Sequence, residues 1–332
     1  MLNEKLKLHP KIFDDAPEAQ PLRAGFGEGL VEAARADKNV VGLCADLTVS
    51  TRMDAFKKEF PDRFVEMGVA EQNLAVTASG MAAMGKVPFI TSYAMFSPGR
   101  NWEQIRTTIC YNDRPVKIVG SHAGISVGPD GGTHQAIEDM AIMRVIPRMV
   151  VIAPCDSNEA KKATIAMAKS DFAKFPTYLR LAREKTPLMT TLETPFEIGK
   201  AYELWRGDNP QVAFIGCGPV LHNTLKAAKK LSEEGIGSVV LNVHTVKPLD
   251  EEAIVALAKE VGAVVTVEEH QIAGGFGSAV SEALAAHHPV PCEFIGMHDA
   301  FGQSGKPEEL IEHYGMGTSH IIDAARRVIG RK

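Results

Sequence analysis

Short apolar runs alternate with helix-period segments along most of the chain. In the first half, residues 39–45, 63–66, 87–91, 116–120, 149–153 and 177–181 read as strands, and 53–60, 70–84, 101–111 and 157–168 as helices. Strands followed by helices at this spacing predict a mostly parallel sheet covered on both faces. Such a sheet presents ligands beyond the carboxyl ends of its strands. A second series follows, with strands at 211–216, 238–243, 263–268 and 292–295 and helices at 221–234, 251–261, 276–285 and 318–329. Thr318-Ser319-His320 reads as a capping sequence for the last helix. The expected fold class is α/β, with two consecutive three-layer α/β/α domains and mostly parallel sheets.

The stretch 186–195 lacks periodicity and marks a linker between domains at 21–185 and 196–332. Residues 1–20, charged and dotted with proline, read as an N-terminal arm or a partner-covering extension. A length of 332 residues allows two cores. A net charge of -5 argues against a nucleic-acid surface. No apolar run reaches the ~20 residues that span a bilayer, and the first twenty residues carry no hydrophobic signal core, so a cytoplasmic protein is expected. The five cysteines (44, 110, 155, 217 and 292) are scattered without a Cys-x-x-Cys pair and read as buried thiols.

Candidate chemistry concentrates in two segments. In Met67-Gly68-Val69-Ala70-Glu71-Gln72-Asn73-Leu74, a carboxylate opens a helix of small apolar residues. Glu71 either complements the helix dipole or handles a proton in a cleft, where desolvation would raise its pKa. In the run from Ser121 to Gln135, His122, Asp130 and His134 share a glycine-rich loop after a strand. They can bind a metal, hydrogen-bond a polyhydroxylated substrate, or simply lie in a surface loop; their spacing fits no metal frame. Tyr93 and Phe96 follow a strand and form core packing or a stacking wall. Arg23, Arg100, Arg180 and Arg183 are candidate anion binders, and Ser50-Thr51-Arg52 opens a helix, where exposed N–H groups favour an anion. Gly274-Gly275-Phe276-Gly277 looks like a phosphate turn without the full Gly-x-Gly-x-x-Gly pattern, and Glu268-Glu269-His270 reads as structural or interfacial.

Residues 65–96 and 120–135, with 176–183 behind them, resemble the thiamine-diphosphate-dependent transketolases, in particular their carboxy-terminal half as a separate polypeptide. The likeness rests on Gly68-Val69-Ala70-Glu71-Gln72, on Asp130-Gly131-Gly132-Thr133-His134-Gln135, on Asp46-Leu47-Thr48-x-Ser50, and on Glu268-Glu269-His270 followed by Gly274-Gly275. It implies a pyrimidine-binding domain followed by a transketolase C-terminal domain. By this resemblance Glu71 bonds N1′ of the cofactor's aminopyrimidine and Tyr93 and Phe96 line that ring. His122, Asp130 and His134 fall at sugar-binding positions. Arg23, Ser50 and Arg183 would clamp the substrate phosphate, with Arg180 an additional basic candidate. The implied reaction moves a two-carbon ketol unit from a ketose phosphate to an aldose phosphate, as in the pentose phosphate pathway.

Two features depart from the full-length pattern. The chain lacks the Gly-Asp-Gly motif that holds Mg²⁺ (or Ca²⁺) and the diphosphate; Arg206-Gly207-Asp208-Asn209 lies outside the expected context. The resemblance therefore implies a partner N-terminal subunit carrying that motif, in an α2β2 assembly, with no metal held by this chain. Gln72 stands where many transketolases have histidine, as it does in deoxyxylulose-phosphate synthases and 2-oxo-acid dehydrogenase β subunits. Those remain alternatives, alongside a non-catalytic regulatory partner. The Asp130–His134 loop favours a sugar phosphate over pyruvate.

Overall fold

The computed structural model describes all 332 residues. In chain order the strands are β1 (Ala19–Pro21), β2 (Val40–Cys44), β3 (Phe64–Glu66), β4 (Val87–Tyr93), β5 (Lys117–Ser121), β6 (Val150–Ile152), β7 (Thr177–Arg180), β8 (Lys185–Pro187), β9 (Tyr202–Arg206), β10 (Pro210–Gly216), β11 (Gly237–Asn242), β12 (Thr245–Lys247), β13 (Val264–Gln271) and β14 (Cys292–Met297). The helices are α1 (Leu22–Ala36), α2 (Asp54–Glu59), α3 (Glu71–Ala83), α4 (Trp102–Gln104), α5 (Asp139–Arg144), α6 (Ser157–Lys169), α7 (Leu221–Glu233), α8 (Glu251–Val261), α9 (Phe276–His287), α10 (Pro307–His313) and α11 (Thr318–Ile329).

Two α/β units result, as the alternating pattern predicts. The first sheet has the order β12-β6-β7-β5-β4-β2-β3, parallel throughout except at β12. The second has the order β14-β13-β10-β11-β9, with only β9 antiparallel. Every residue of β2 and β5 is buried, as expected of strands covered on both faces. Hydrophobic burial is not split between the units: one apolar layer runs from Leu74, Ile118 and Met140 to Leu241, Ile254 and Phe276.

The structure refines four local expectations. The N-terminal arm covers its own chain: Leu6 and Ile12 are buried, the Asn3 amide donates to the Leu204 carbonyl, and Phe13 packs edge-on to Trp205. The linker is partly ordered, because β8 pairs antiparallel with β1. The helix read at 101–111 is one short α segment that widens into a π turn over Ile105–Cys110. The last helix begins after Gly317 with no side-chain cap, so Thr318-Ser319-His320 lie inside it.

Helix α1 escapes the sequence pattern because Gly25, Gly27 and Gly29 weaken its helical signature. Packing overrides that propensity. A Cβ on Gly25 would stand 1.8 Å from the Ser157 carbonyl oxygen, so glycine is what lets α1 meet α6 backbone to backbone. That contact fixes the start of α1, and with it Arg23, at the carboxyl edge of the first sheet.

Candidate functional site

The carboxyl ends of β2, β4, β5 and β7 lie side by side, and the chain leaves each of them into a segment carrying polar chemistry. Tyr93 ends β4 and is paired in register with Ser121, which ends β5; His122 follows immediately. His122 adopts φ 57°, a left-handed conformation unusual for a side-chain-bearing residue and frequent at functional sites. This bend lays its ring on Tyr93, with centroids 3.9 Å apart and the planes nearly parallel. Phe96 stands 6.3 Å from Tyr93, and His134 meets the Phe96 ring edge-on at 5.5 Å. Tyr93, Phe96, His122 and His134 thus form one aromatic wall.

Glu71 is the first residue of α3, only 2% exposed. Its carboxylate does not cap its own helix. One oxygen takes a 2.6 Å bond from the Arg100 guanidinium, and the other reaches the Ser92 hydroxyl at 3.5 Å. The Asn101 amide holds the Glu71 carbonyl at 2.9 Å, tying the start of α3 to the segment carrying Phe96 and Arg100. The carboxylate therefore sits in a dry position beside the aromatic wall, reached from the cleft by one half-exposed cation.

Basic groups gather on the other side of His122. Arg23 donates to the Ser50 carbonyl at 2.8 Å and lies 3.4 Å from His122 Nε2, while His122 Nδ1 pairs with the Ser121 hydroxyl. Arg183 donates to the Val127 carbonyl. Burial, followed by the charges of Arg23, Arg183 and His134, pushes the His122 pKa down to about 3. His122 is thus neutral at physiological pH and accepts from Arg23. Burial and the neighbouring Arg52 and Arg183 also lower the Arg23 pKa, and the half-exposed Glu184, paired with Arg183 at 3.1 Å, offsets this only in part.

The loop bearing Asp130 is held by the second unit. Gln135 Nε2 donates to the carbonyls of Ile125 (3.1 Å) and Gln303 (3.0 Å), and the Ser126 amide donates to Glu269. Gly128 turns at φ 77° where a Cβ would press on Pro307. Asp130 ends up exposed at the rim. A cavity of about 630 Å³ opens behind this loop, lined by Ser126, Glu184, His222 and Glu269 among others.

Of the residues singled out in the sequence, Glu71, Tyr93, Phe96, His122 and His134 come together, with Arg23, Ser50 and Arg183 beside them. Arg180 does not join them. It is 4% exposed, bonds Asp139 at 2.9 Å, and donates to the carbonyls of Ala136 and Glu269, so it is a buried brace rather than a substrate contact. Arg100, read as a candidate binder of outside anions, is paired with an internal one. The Gly274–Gly277 turn is no phosphate cradle: Glu268 fills the start of α9, accepting from the Phe276 and Gly277 amides at 2.7 Å each. His122, Asp130 and His134 do not converge as metal ligands, and no group of three or more His, Cys, Asp or Glu side chains does so elsewhere. No helix is long and apolar enough to cross a membrane.

Residues 18–189 match the family model for the transketolase pyrimidine-binding domain, and 199–321 match that for the transketolase C-terminal domain. An inferred transketolase C-terminal section from Methanocaldococcus jannaschii is 43% identical, covering 93% of this chain and 95% of that protein. A 6-deoxy-6-sulfo-D-fructose transketolase subunit from Clostridium sp. (strain MSTE9) is 39% identical, covering 96% and 98% respectively. Among solved structures, a split-gene transketolase described as an inactive β4 tetramer superposes with a TM-score of 0.86 at 39% identity, covering 93% of this chain and 98% of that one. The chain belongs to the transketolase family and corresponds to the C-terminal section found in split-gene transketolases.

Proposed function

We propose that this chain supplies one half of a transketolase active site, moving a two-carbon ketol unit from a ketose phosphate to an aldose phosphate. The observation that carries this reading is the buried Glu71 carboxylate beside the Tyr93–Phe96 wall, in a helix it does not cap. Those residues fit an aminopyrimidine. The wall offers a ring-sized apolar face, and a buried carboxyl is suited to share a proton with a ring nitrogen. Thiamine diphosphate, when bound, supplies the carbon–carbon bond chemistry.

The chain's own residues do the rest. Glu71 holds a proton at the pyrimidine N1′ position, and Tyr93 and Phe96 fix the ring and exclude water. Arg23, Ser50 and Arg183 take the substrate phosphate, with neutral His122 as a hydrogen-bonding partner. Asp130 at the rim reads a substrate hydroxyl, and His134 contacts oxygens near the reacting carbons. The Mg²⁺ and diphosphate are held by a partner subunit bearing Gly-Asp-Gly, in an α2β2 cytoplasmic enzyme. Shared sites between unlike chains favour a two-fold assembly.

The test is purification of the chain from its native cells, then assay with Mg²⁺, thiamine diphosphate, xylulose 5-phosphate and ribose 5-phosphate. A co-purifying Gly-Asp-Gly chain and formation of sedoheptulose 7-phosphate support the reading. A partner without ketol transfer overturns it and moves the assay to pyruvate with glyceraldehyde 3-phosphate. The sulfosugar named for the Clostridium relative belongs in the donor panel. Neither partner nor cofactor binding would favour a non-catalytic role.

A further inference from the structure

Arg100 makes one side-chain hydrogen bond, and it goes to Glu71. The two partners differ sharply in setting: Glu71 is 2% exposed and the Arg100 side chain 48%. The guanidinium therefore approaches from the cleft, while the carboxylate belongs to the interior. Arg100 also lies over the Phe96 ring, 4.9 Å from its centroid. A planar, donor-bearing group thus covers an aromatic face and bonds a buried carboxylate. Those are the same two contacts an aminopyrimidine would make with Phe96 and Glu71.

The surrounding segment is built to let the side chain go. Asn101, the next residue, is fully buried and pinned to the Glu71 carbonyl and the Ser97 hydroxyl, so the backbone at this point is fixed. Gly99 and Arg100 themselves are exposed. A half-exposed arginine pair is screened by solvent and holds weakly. A buried carboxylate left with only a hydroxyl at 3.5 Å is costly. The arrangement is therefore stable with Arg100 in place and stable with another donor in its place, but not with neither.

We infer that Arg100 is a displaceable latch: it pairs with Glu71 in the empty cleft and is swung aside when the aminopyrimidine of thiamine diphosphate takes over the carboxylate. This rests on the reading of Glu71 given above. Arg100 is a positioning residue that sets how readily the site accepts its cofactor.

The test uses the complex of this chain with its diphosphate-binding partner, and measures thiamine diphosphate affinity by calorimetry in the presence of Mg²⁺. Arg100→Met keeps an apolar stem over Phe96 and removes the competing cation. The latch predicts roughly three- to tenfold tighter binding in the variant, the scale of a weak, solvent-screened pair. It also predicts a lower melting temperature for the cofactor-free variant. Both effects should vanish when Glu71→Gln is the background, because a neutral amide needs no cation. Unchanged or weaker binding in Arg100→Met overturns the latch, as does the same shift in the Glu71→Gln background. A wild-type complex that binds no thiamine diphosphate overturns the cofactor reading itself, and the latch with it.

Discussion

Glu71 and Glu268 are both buried carboxylates at the start of a helix, yet they do opposite things. Glu268 accepts two backbone N–H bonds at the start of α9 and is sealed by the Gly274–Gly277 turn. A Cβ on Gly275 would stand 2.3 Å from its Oε2, so nothing else fits there. Glu71 gives its oxygens to a half-exposed guanidinium and a distant hydroxyl, and it faces a wall of rings. The basic residues divide in the same way: Arg180 is enclosed by Asp139 and two carbonyls, while Arg23 and Arg183 crowd around His122 with only the half-exposed Glu184 as a counter-charge. A polar group closed by its own backbone is architecture; one left to a replaceable side chain is available for chemistry.

This contrast can be broken by experiment. The largest effect is expected from Glu71→Gln in the assembled enzyme. Loss of the proton-sharing carboxyl should lower kcat by ~10²–10⁴-fold, read at saturating cofactor. Next, Arg183→Ala should raise KM for phosphorylated substrates by roughly ten- to hundredfold with little change in kcat, as removal of one charged phosphate contact does. Non-phosphorylated analogues should be affected far less; an equal loss on both would remove Arg183 from the phosphate site. Glu268→Gln should instead cost on the order of 1–3 kcal/mol of stability through its weakened backbone bonds, seen in denaturant melts.

A further effect appears only at acid pH. The folded-state pKa of His122, about 3, lies below its unfolded value of 6.5. The unfolded chain binds the extra proton, so this stabilising contribution is complete above pH 6.5 and lost as pH falls toward 3. His122→Asn should flatten the acid-side decline in that window by up to about 1.4 kcal/mol per pH unit. An identical slope in the variant would mean His122 is not the depressed group.

Much of this contrast was readable in the sequence, and the reasons it was not all readable are physical. The helix opened by Glu71 and the strand–loop placement of His122 follow from strong periodicity and glycine punctuation. Helix α1 did not show, because its three glycines serve a close approach to α6 that exists only in the folded chain. Strand β12 did not show either; Thr245–Lys247 is three residues long and crosses to the edge of the other unit's sheet. Arg100 and Arg180 looked like Arg23 and Arg183 in one dimension. What separates them is whether a buried acid lies within reach, and Asp139 and Glu71 are 41 and 29 residues away along the chain.

The most direct measurement pairs Glu71→Gln with Glu268→Gln in the chain–partner complex, recording ketol-transfer rate and melting temperature on the same preparations. A crossed result is expected: Glu71→Gln loses the rate and keeps the melting temperature, while Glu268→Gln lowers the melting temperature and keeps the rate of the folded enzyme. If Glu71→Gln kept its rate, or if both substitutions lost rate and stability together, the distinction between an open and a closed carboxylate would be contradicted.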